Sequence, residues 1–310
     1  MMEEVVVGID IGGTNTTIGI VSKAGRVLAK DGLRTKQYPE IADFIKAATN
    51  VINQQITNVK HDIPNLTLKG IGVGAPNGNP YTGTIQNAPN LSWKGIVPLA
   101  DLLHKSLNVP CKITNDAKAA ALGEQQFGAA KGMKDFLVIT LGTGLGSGIV
   151  ANGSLIYGFD GFAGELGHVI VVPNGRLCGC GRHGCLETYV SATGLVNTFK
   201  ELNPNATHAH DARKIAEMAQ EGDKTAIEAY RLTGEMLGFA LANSVAYTSP
   251  EAIFLFGGLI RAGEILFKPT RESFEKQLLN NYKGHIHIHP SALHESDAAV
   301  LGAASIIWKG

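Results

Sequence analysis

VVVGIDIGGTNTTIGI, residues 5–20, reads as an extended run, a glycine turn and a second extended run. Val5, Val7 and Ile9 begin the first run, Asp10-Ile11-Gly12-Gly13-Thr14 stops it, and Ile18-Gly19-Ile20 resumes an extended pattern. The same grammar returns at FLVITLGTGLGSGIV, residues 136–150, with Gly142-Thr143-Gly144 at the turn. Two such hairpins in one chain predict two related lobes, each lending backbone N–H groups to one polyphosphate in a cleft. Gly12 and Gly13 would let amides approach a phosphate, Thr14 adds a hydroxyl, and Asp10 could hold magnesium directly or through water. A plain tight turn would use the same residues. The motif is not a Walker A loop, and because a strand follows rather than a helix it is not a dinucleotide fingerprint.

Between the hairpins, residues 40–59 place Ile41, Phe44, Ile45, Ala48, Val51, Ile52, Ile56 and Val59 on one face at helical spacing. Residues 69–76 read as a buried strand running into an amide-rich loop, where Asn90 could serve a sugar hydroxyl or simply a turn. A strand after Val109 leads into a helix that opens on Asn115-Asp116. That pair is a helix cap in the bland reading. In the sharper one, Asp116 faces the cleft and accepts the proton of an attacking alcohol, since phosphoryl transfer asks for alignment, charge neutralisation and one such base. Residues 188–200 and 209–247 read as helices, 252–256 as a buried strand ending in Gly257-Gly258, and 297–308 as a final apolar helix. The glycine pair suits a nucleotide contact or close helix packing. His285, His287 and His289 alternate on one strand face, which suits an exposed edge strand better than a metal tract.

GELGHVIVVPNGRLCGCGRHGCLE, residues 164–187, sets His168 close in sequence to Cys178, Cys180 and Cys185. One imidazole and three thiolates make a closed tetrahedral set of the structural zinc kind, with no open position for a catalytic water. A histidine bound through one ring nitrogen carries its proton on the other and becomes an oriented donor. Glu165 and Glu187 flank the cluster and could accept from neighbouring hydroxyls, which makes a polyol grip. The plainer alternative is a fold staple with two solvated acids.

The 310 residues suffice for two lobes with buried cores, and 27 basic against 27 acidic side chains leave no charge excess for nucleic acid or a membrane surface. No apolar run reaches membrane-spanning length, and the acidic start MMEEVVVGID is unlike a signal peptide. Four cysteines, three of them in the knuckle, fit a reducing cytosol, with Cys111 left for the core.

Together the motifs resemble the ROK sugar kinases, a family named for repressors, open reading frames and kinases. The resemblance runs through nearly the whole chain, on DIGGT at 10–14, ND at 115–116, LGTGLGSG at 141–148, GELGH at 164–168, CGCGRHGCLE at 178–187 and FGG at 256–258. It implies an α/β chain of the actin-like, hexokinase-type ATPase fold, with two ribonuclease-H-like lobes around a cleft. A small lobe would cover 1–117, completed by a C-terminal helix at about 297–310, and a large lobe with the knuckle would cover 118–296. The resemblance further implies Asp116 as catalytic base, with Asn90, Asn115, Glu165, His168 and Glu187 on the sugar hydroxyls. His168, Cys178, Cys180 and Cys185 would bind zinc; Gly12, Gly13, Thr14, Thr143, Gly257 and Gly258 would line the ATP site, and Asp10 would face Mg2+. The implied protein is a cytoplasmic homodimer or homotetramer that phosphorylates the 6-hydroxyl of a hexose, glucose first, with mannose, allose, fructose and N-acetylated hexosamines as alternatives. Two departures stand out. Gly74-Ala75-Pro76-Asn77 replaces a GxPG-type loop near the expected sugar pocket, and Lys118 replaces the asparagine of NDANAA, where it is expected on the helix surface without touching the base. A sugar-sensing repressor would need a helix-turn-helix, for which the early first strand leaves no room. An idle actin-like ATPase is the other rival.

Overall fold

The computed structural model describes residues 3–205 and 211–308. Strands β1 (Glu3–Ile11), β2 (Thr16–Ser22) and β3 (Val27–Leu33) form an antiparallel meander, followed by helix α1 (Ile41–Asp62) and strand β4 (Leu66–Gly74). A small sheet of β5 (Gly78–Asn79), β6 (Thr84–Gln86) and β7 (Ile96–Val97) precedes α2 (Leu99–Leu107), β8 (Cys111–Thr114) and α3 (Asp116–Phe127). The main sheet has the order β3-β2-β1-β4-β8, and β4 runs parallel to both β1 and β8. Helix α1 forms because Phe44, Ile45, Ala48, Ile52 and Val59 recur on one face, which it buries against β2, β3 and α2. Burial, then Asp101, push the Cys111 thiol up to about 12, so it stays protonated, partly buried against the core.

Strands β9 (Phe136–Leu141), β10 (Leu145–Ala151) and β11 (Ser154–Leu155) begin the second sheet. After them come α4 (Ala192–Leu202), α5 (Ala212–Gln220), α6 (Lys224–Thr248), β12 (Ala252–Phe256), α7 (Glu264–Gln277), β13 (His287–Pro290) and α8 (Glu295–Trp308). The order β11-β10-β9-β12-β13 reproduces that of the first sheet, with an antiparallel hairpin followed by two parallel additions. The echo read between residues 5–20 and 136–150 is therefore a repeated topology. His287 and His289 are exposed on β13 at the sheet's edge, with Ile288 buried between them; His285 precedes the strand. Ala209 and His210 of the predicted 209–247 helical stretch, and Lys309 and Gly310 of the final helix, lie outside the described residues.

The chain divides into two compact units: unit 1 comprises 1–132, 155–163 and 292–310, and unit 2 comprises 133–154 and 164–291. This differs from the 117/118 boundary read in the sequence, because α3 packs on α8 and β4 and so stays with the first sheet. Each unit has its own apolar core. Helix α8 lies hard against the first sheet, where a Cβ at Gly8 or Gly72 would collide with the Val300 or Ala303 carbonyl. Among the described residues no helix is long and apolar enough to cross a membrane.

Candidate functional site

In unit 1, parallel pairing aligns Asp10 with Gly74 and Gly74 with Thr114, so the carboxyl ends of β1, β4 and β8 converge. Beyond β1 the chain turns tightly, the Gly12 amide donating to the Asn15 carbonyl at 2.9 Å. Gly13 packs so closely on Asn90 that a Cβ there would lie 2.6 Å from the Asn90 carbonyl oxygen; Asn90 and Thr14 are exposed beside the turn. Beyond β8, Asn115 caps α3, its Oδ1 accepting from the amides of Ala117 at 2.9 Å and Lys118 at 3.4 Å. The cap thus belongs to Asn115, and Asp116 is the first helical residue. With its oxygen committed to the helix, Asn115 keeps its amide nitrogen as the group that can donate to a hydroxyl.

Asp116 Oδ1 accepts from the Ala117 amide at 2.8 Å. The residue is exposed at the surface, while the surrounding protein disfavours the charged form and raises its carboxyl above the ordinary range. Opposing that are the Ala117 and Asp116 N–H groups, the Lys118 charge and the Asn115 amide. Asp10 rises to about 7, first through burial and then through the Asp116 charge. The sequence expectation for Lys118 fails: it is 1% exposed and its Nζ donates to the Gly161 carbonyl at 3.3 Å. Helix α3 is buried nearly all round, from Ala117 through Gln125, so this position has no solvent face.

In unit 2, the turn between β9 and β10 leaves Gly142 and Thr143 exposed. Glu187 Oε2 accepts from the Leu145 amide at 2.9 Å, and a Cβ on Gly144 would strike that oxygen. Phe256 pairs with Thr140, so Gly257-Gly258 leaves β12 beside the same strand end as Thr143. Gly257 has φ 111° and backs onto the Leu141 carbonyl, where a side chain would be both strained and obstructed.

The knuckle gathers His168, Cys178, Cys180 and Cys185, with their ligand atoms all within 4.8 Å of one another. Cys180 Sγ and Cys185 Sγ are 3.7 Å apart, and Cys178 Sγ lies 3.6 Å from His168 Nδ1. Tetrahedral zinc with ordinary bond lengths requires S···S near ~3.8 Å and S···N near ~3.5 Å. The residues fit that ion. Nδ1 is the nitrogen turned to the sulfurs, so with an ion bound there Nε2 would carry the proton. The His168 amide donates to the Glu165 carbonyl at 3.0 Å, a turn that binds Glu165 to the knuckle while its carboxylate stays exposed. Cys178 Sγ lies 3.9 Å from Glu187 Oε1, so Glu187 bridges the knuckle and the glycine turn.

The sequence profile of the ROK family matches residues 6–309. The chain belongs to the ROK family. This ROK chain is 35% identical to the glucokinase of Halalkalibacterium halodurans, over 97% of its own length and 94% of the relative's. It is also 35% identical to the glucokinase of Thermotoga maritima, over 97% and 96%. A ROK family glucokinase from Streptomyces griseus, solved with glucose and AMPPNP, superposes with a TM-score of 0.82 at 32% identity, covering 99% and 100% of the two chains. The fold is that of the actin-like sugar kinases.

Of the residues expected at the site, unit 1 brings together Asp10, Gly12, Gly13, Thr14, Asn90, Asn115 and Asp116. Unit 2 brings together Thr143, Gly257 and Gly258 at one strand end, and Glu165, His168 and Glu187 at the knuckle. The start of α4 escaped sequence reading in this ROK chain. The Ala192 amide donates to the Gly142 carbonyl at 2.8 Å and Thr193 Oγ1 to the Thr143 carbonyl at 3.0 Å, so the helix N-terminus braces the turn. Ser191, which caps α4 by accepting from Gly194 at 2.9 Å, was the available signal.

Proposed function

We propose that this ROK chain is an ATP-dependent hexose kinase that transfers the γ-phosphoryl group to the 6-hydroxyl of glucose. The observation that carries the reading is the convergence of Asp10, Asn115 and Asp116 at aligned strand ends in unit 1, in a chain similar to glucokinases along almost its full length. Asp116 orients the sugar hydroxyl and takes its proton; the N–H groups around it keep the carboxylate available for that work. The Asn115 amide, the Asn90 side chain, Glu165, Glu187 and the His168 Nε2–H hold the remaining hydroxyls. Thr143, Gly257 and Gly258, with Gly12, Gly13 and Thr14, present backbone and hydroxyl donors to the nucleotide phosphates.

Magnesium, which Asp10 would face, supplies neutralising charge on the phosphates when bound. His168, Cys178, Cys180 and Cys185 would hold zinc, whose contribution is folding free energy and a fixed tautomer on His168. The same reading has the protein working in the cytosol, as a homodimer or homotetramer, the latter tested by light scattering. An assay coupled to ADP release, run on glucose, mannose, fructose, allose, N-acetylglucosamine and N-acetylmannosamine, tests the proposal. Glucose should give the highest kcat/KM; no sugar-dependent ADP release would end the kinase reading, and a different best sugar would replace glucose.

A further inference from the structure

Lys118, next to the Asn-Asp pair on α3, has no task in the proposed reaction. An ammonium taken out of water is strongly disfavoured unless its surroundings compensate, and an apolar side chain of similar length would fill the same space without that penalty. Its surroundings are specific. Residues 155–163 cross unit 1 as a strap whose carbonyls are gripped in a row: Tyr81 Oη donates to Gly158 at 2.7 Å, Asn79 Nδ2 to Asp160 at 2.7 Å, and Lys118 Nζ to Gly161 at 3.3 Å. Asn79 is itself held, 2% exposed, with its Oδ1 accepting from the Tyr81 amide at 3.0 Å. Of these three donors only Lys118 brings charge, and it stands two residues after Asp116 on α3. Along the chain, Glu165 follows Gly161 by four residues.

We propose that Lys118 is a positioning residue for phosphoryl transfer: its buried ammonium holds the 155–163 strap by the Gly161 carbonyl and places a fixed positive charge behind the Asp116 carboxylate. This rests on the reading of Asp116 as the base. The charge favours the ionised carboxylate against the desolvation that opposes it. The tie holds the segment of chain that leads directly into Glu165.

Steady-state kinetics on Lys118→Met, Lys118→Arg, Lys118→Gln and Asp116→Asn test it. Lys118→Met keeps the apolar stem, so it should preserve the fold while lowering kcat about tenfold or more, a part of the roughly 10²–10⁴-fold that a placed base supplies. The KM for hexose should rise while the KM for ATP stays within about twofold. Mere loss of folded protein would lower kcat with both KM values unchanged. Lys118→Arg should recover most of the loss. Wild-type kinetics for Lys118→Met would overturn the proposal, leaving Lys118 a packing residue. If Lys118→Met fails to fold, Arg must still exceed Gln in kcat, and equal rates overturn it. If Asp116→Asn abolishes turnover while Lys118→Met is normal, the base reading stands and this proposal falls. If Asp116→Asn turns over normally, both fall.

Discussion

Units 1 and 2 share a strand order and a hairpin with a glycine turn, yet they place different side chains on the shared frame. In unit 1 the parallel ends of β1 and β8 carry two acids, and the fifth strand runs straight into α3, whose first residue is Asp116. In unit 2 the equivalent strand end of β9 carries a Thr and glycine turn, and the acids arrive on an inserted knuckle between β11 and α4. The difference teaches that a strand end positions one or two side chains without help, because parallel register already aligns them. A cluster of donors and acceptors on an irregular segment needs another device, and the gathered His168, Cys178, Cys180 and Cys185 would provide one by holding zinc. Helix α8, which follows the fifth strand of the second sheet, packs in unit 1 against α3.

The comparison can be broken at its unit 1 side first. Asp116→Asn should lower kcat about 10²–10⁴-fold with the melting temperature unchanged; a smaller loss in the coupled assay would remove the base from unit 1. Next is the device in unit 2. Cys178→Ser should abolish stoichiometric zinc by mass spectrometry, lower the melting temperature and raise the hexose KM about tenfold or more, since structural zinc carries on the order of 10 kcal/mol of folding free energy in small fingers. Zinc content equal to wild type would mean the four side chains do not form the site. Glu187→Ala leaves the Leu145 amide without its acceptor, at about 1–3 kcal/mol, and should reduce hexose kcat/KM about tenfold, with Glu187→Gln, which keeps an acceptor oxygen, losing less.

Two smaller effects separate frame from chemistry. Gly72→Ala would drive a Cβ into the Ala303 carbonyl and should cost about 1–3 kcal/mol in urea unfolding with kcat per folded molecule unchanged. The last concerns Asp10, whose carboxyl is raised from 3.8 to about 7 by burial and by Asp116. Between those pH values the folded state keeps a proton that the unfolded chain releases, so stability falls as pH rises through that window. In magnesium-free buffer Asp10→Asn should flatten this slope in thermal melts; an unchanged slope would assign it to other groups.

The hairpins, the long helices and the repeat were legible because each rests on local periodicity and turn residues, which the chain carries in order. The knuckle was legible for a related reason, since His168, Cys178, Cys180 and Cys185 lie within a short stretch and their chemistry admits few uses. The place of Lys118 was not legible. A lysine after Asn-Asp-Ala on a predicted helix suggests a solvated face, and only tertiary packing, the Gly161 carbonyl over its ammonium included, takes that position out of water. The bracing of the β9–β10 turn by α4 was likewise hidden, because Thr193 meets Thr143 across 50 residues of sequence. By itself, then, the sequence determined which segments are strands, helices and turns, and which side chains can bind metal, phosphate or a hydroxyl. The tertiary structure alone decided which of them face each other and which charges are buried, because burial and register are set by contacts between segments that local pattern does not encode.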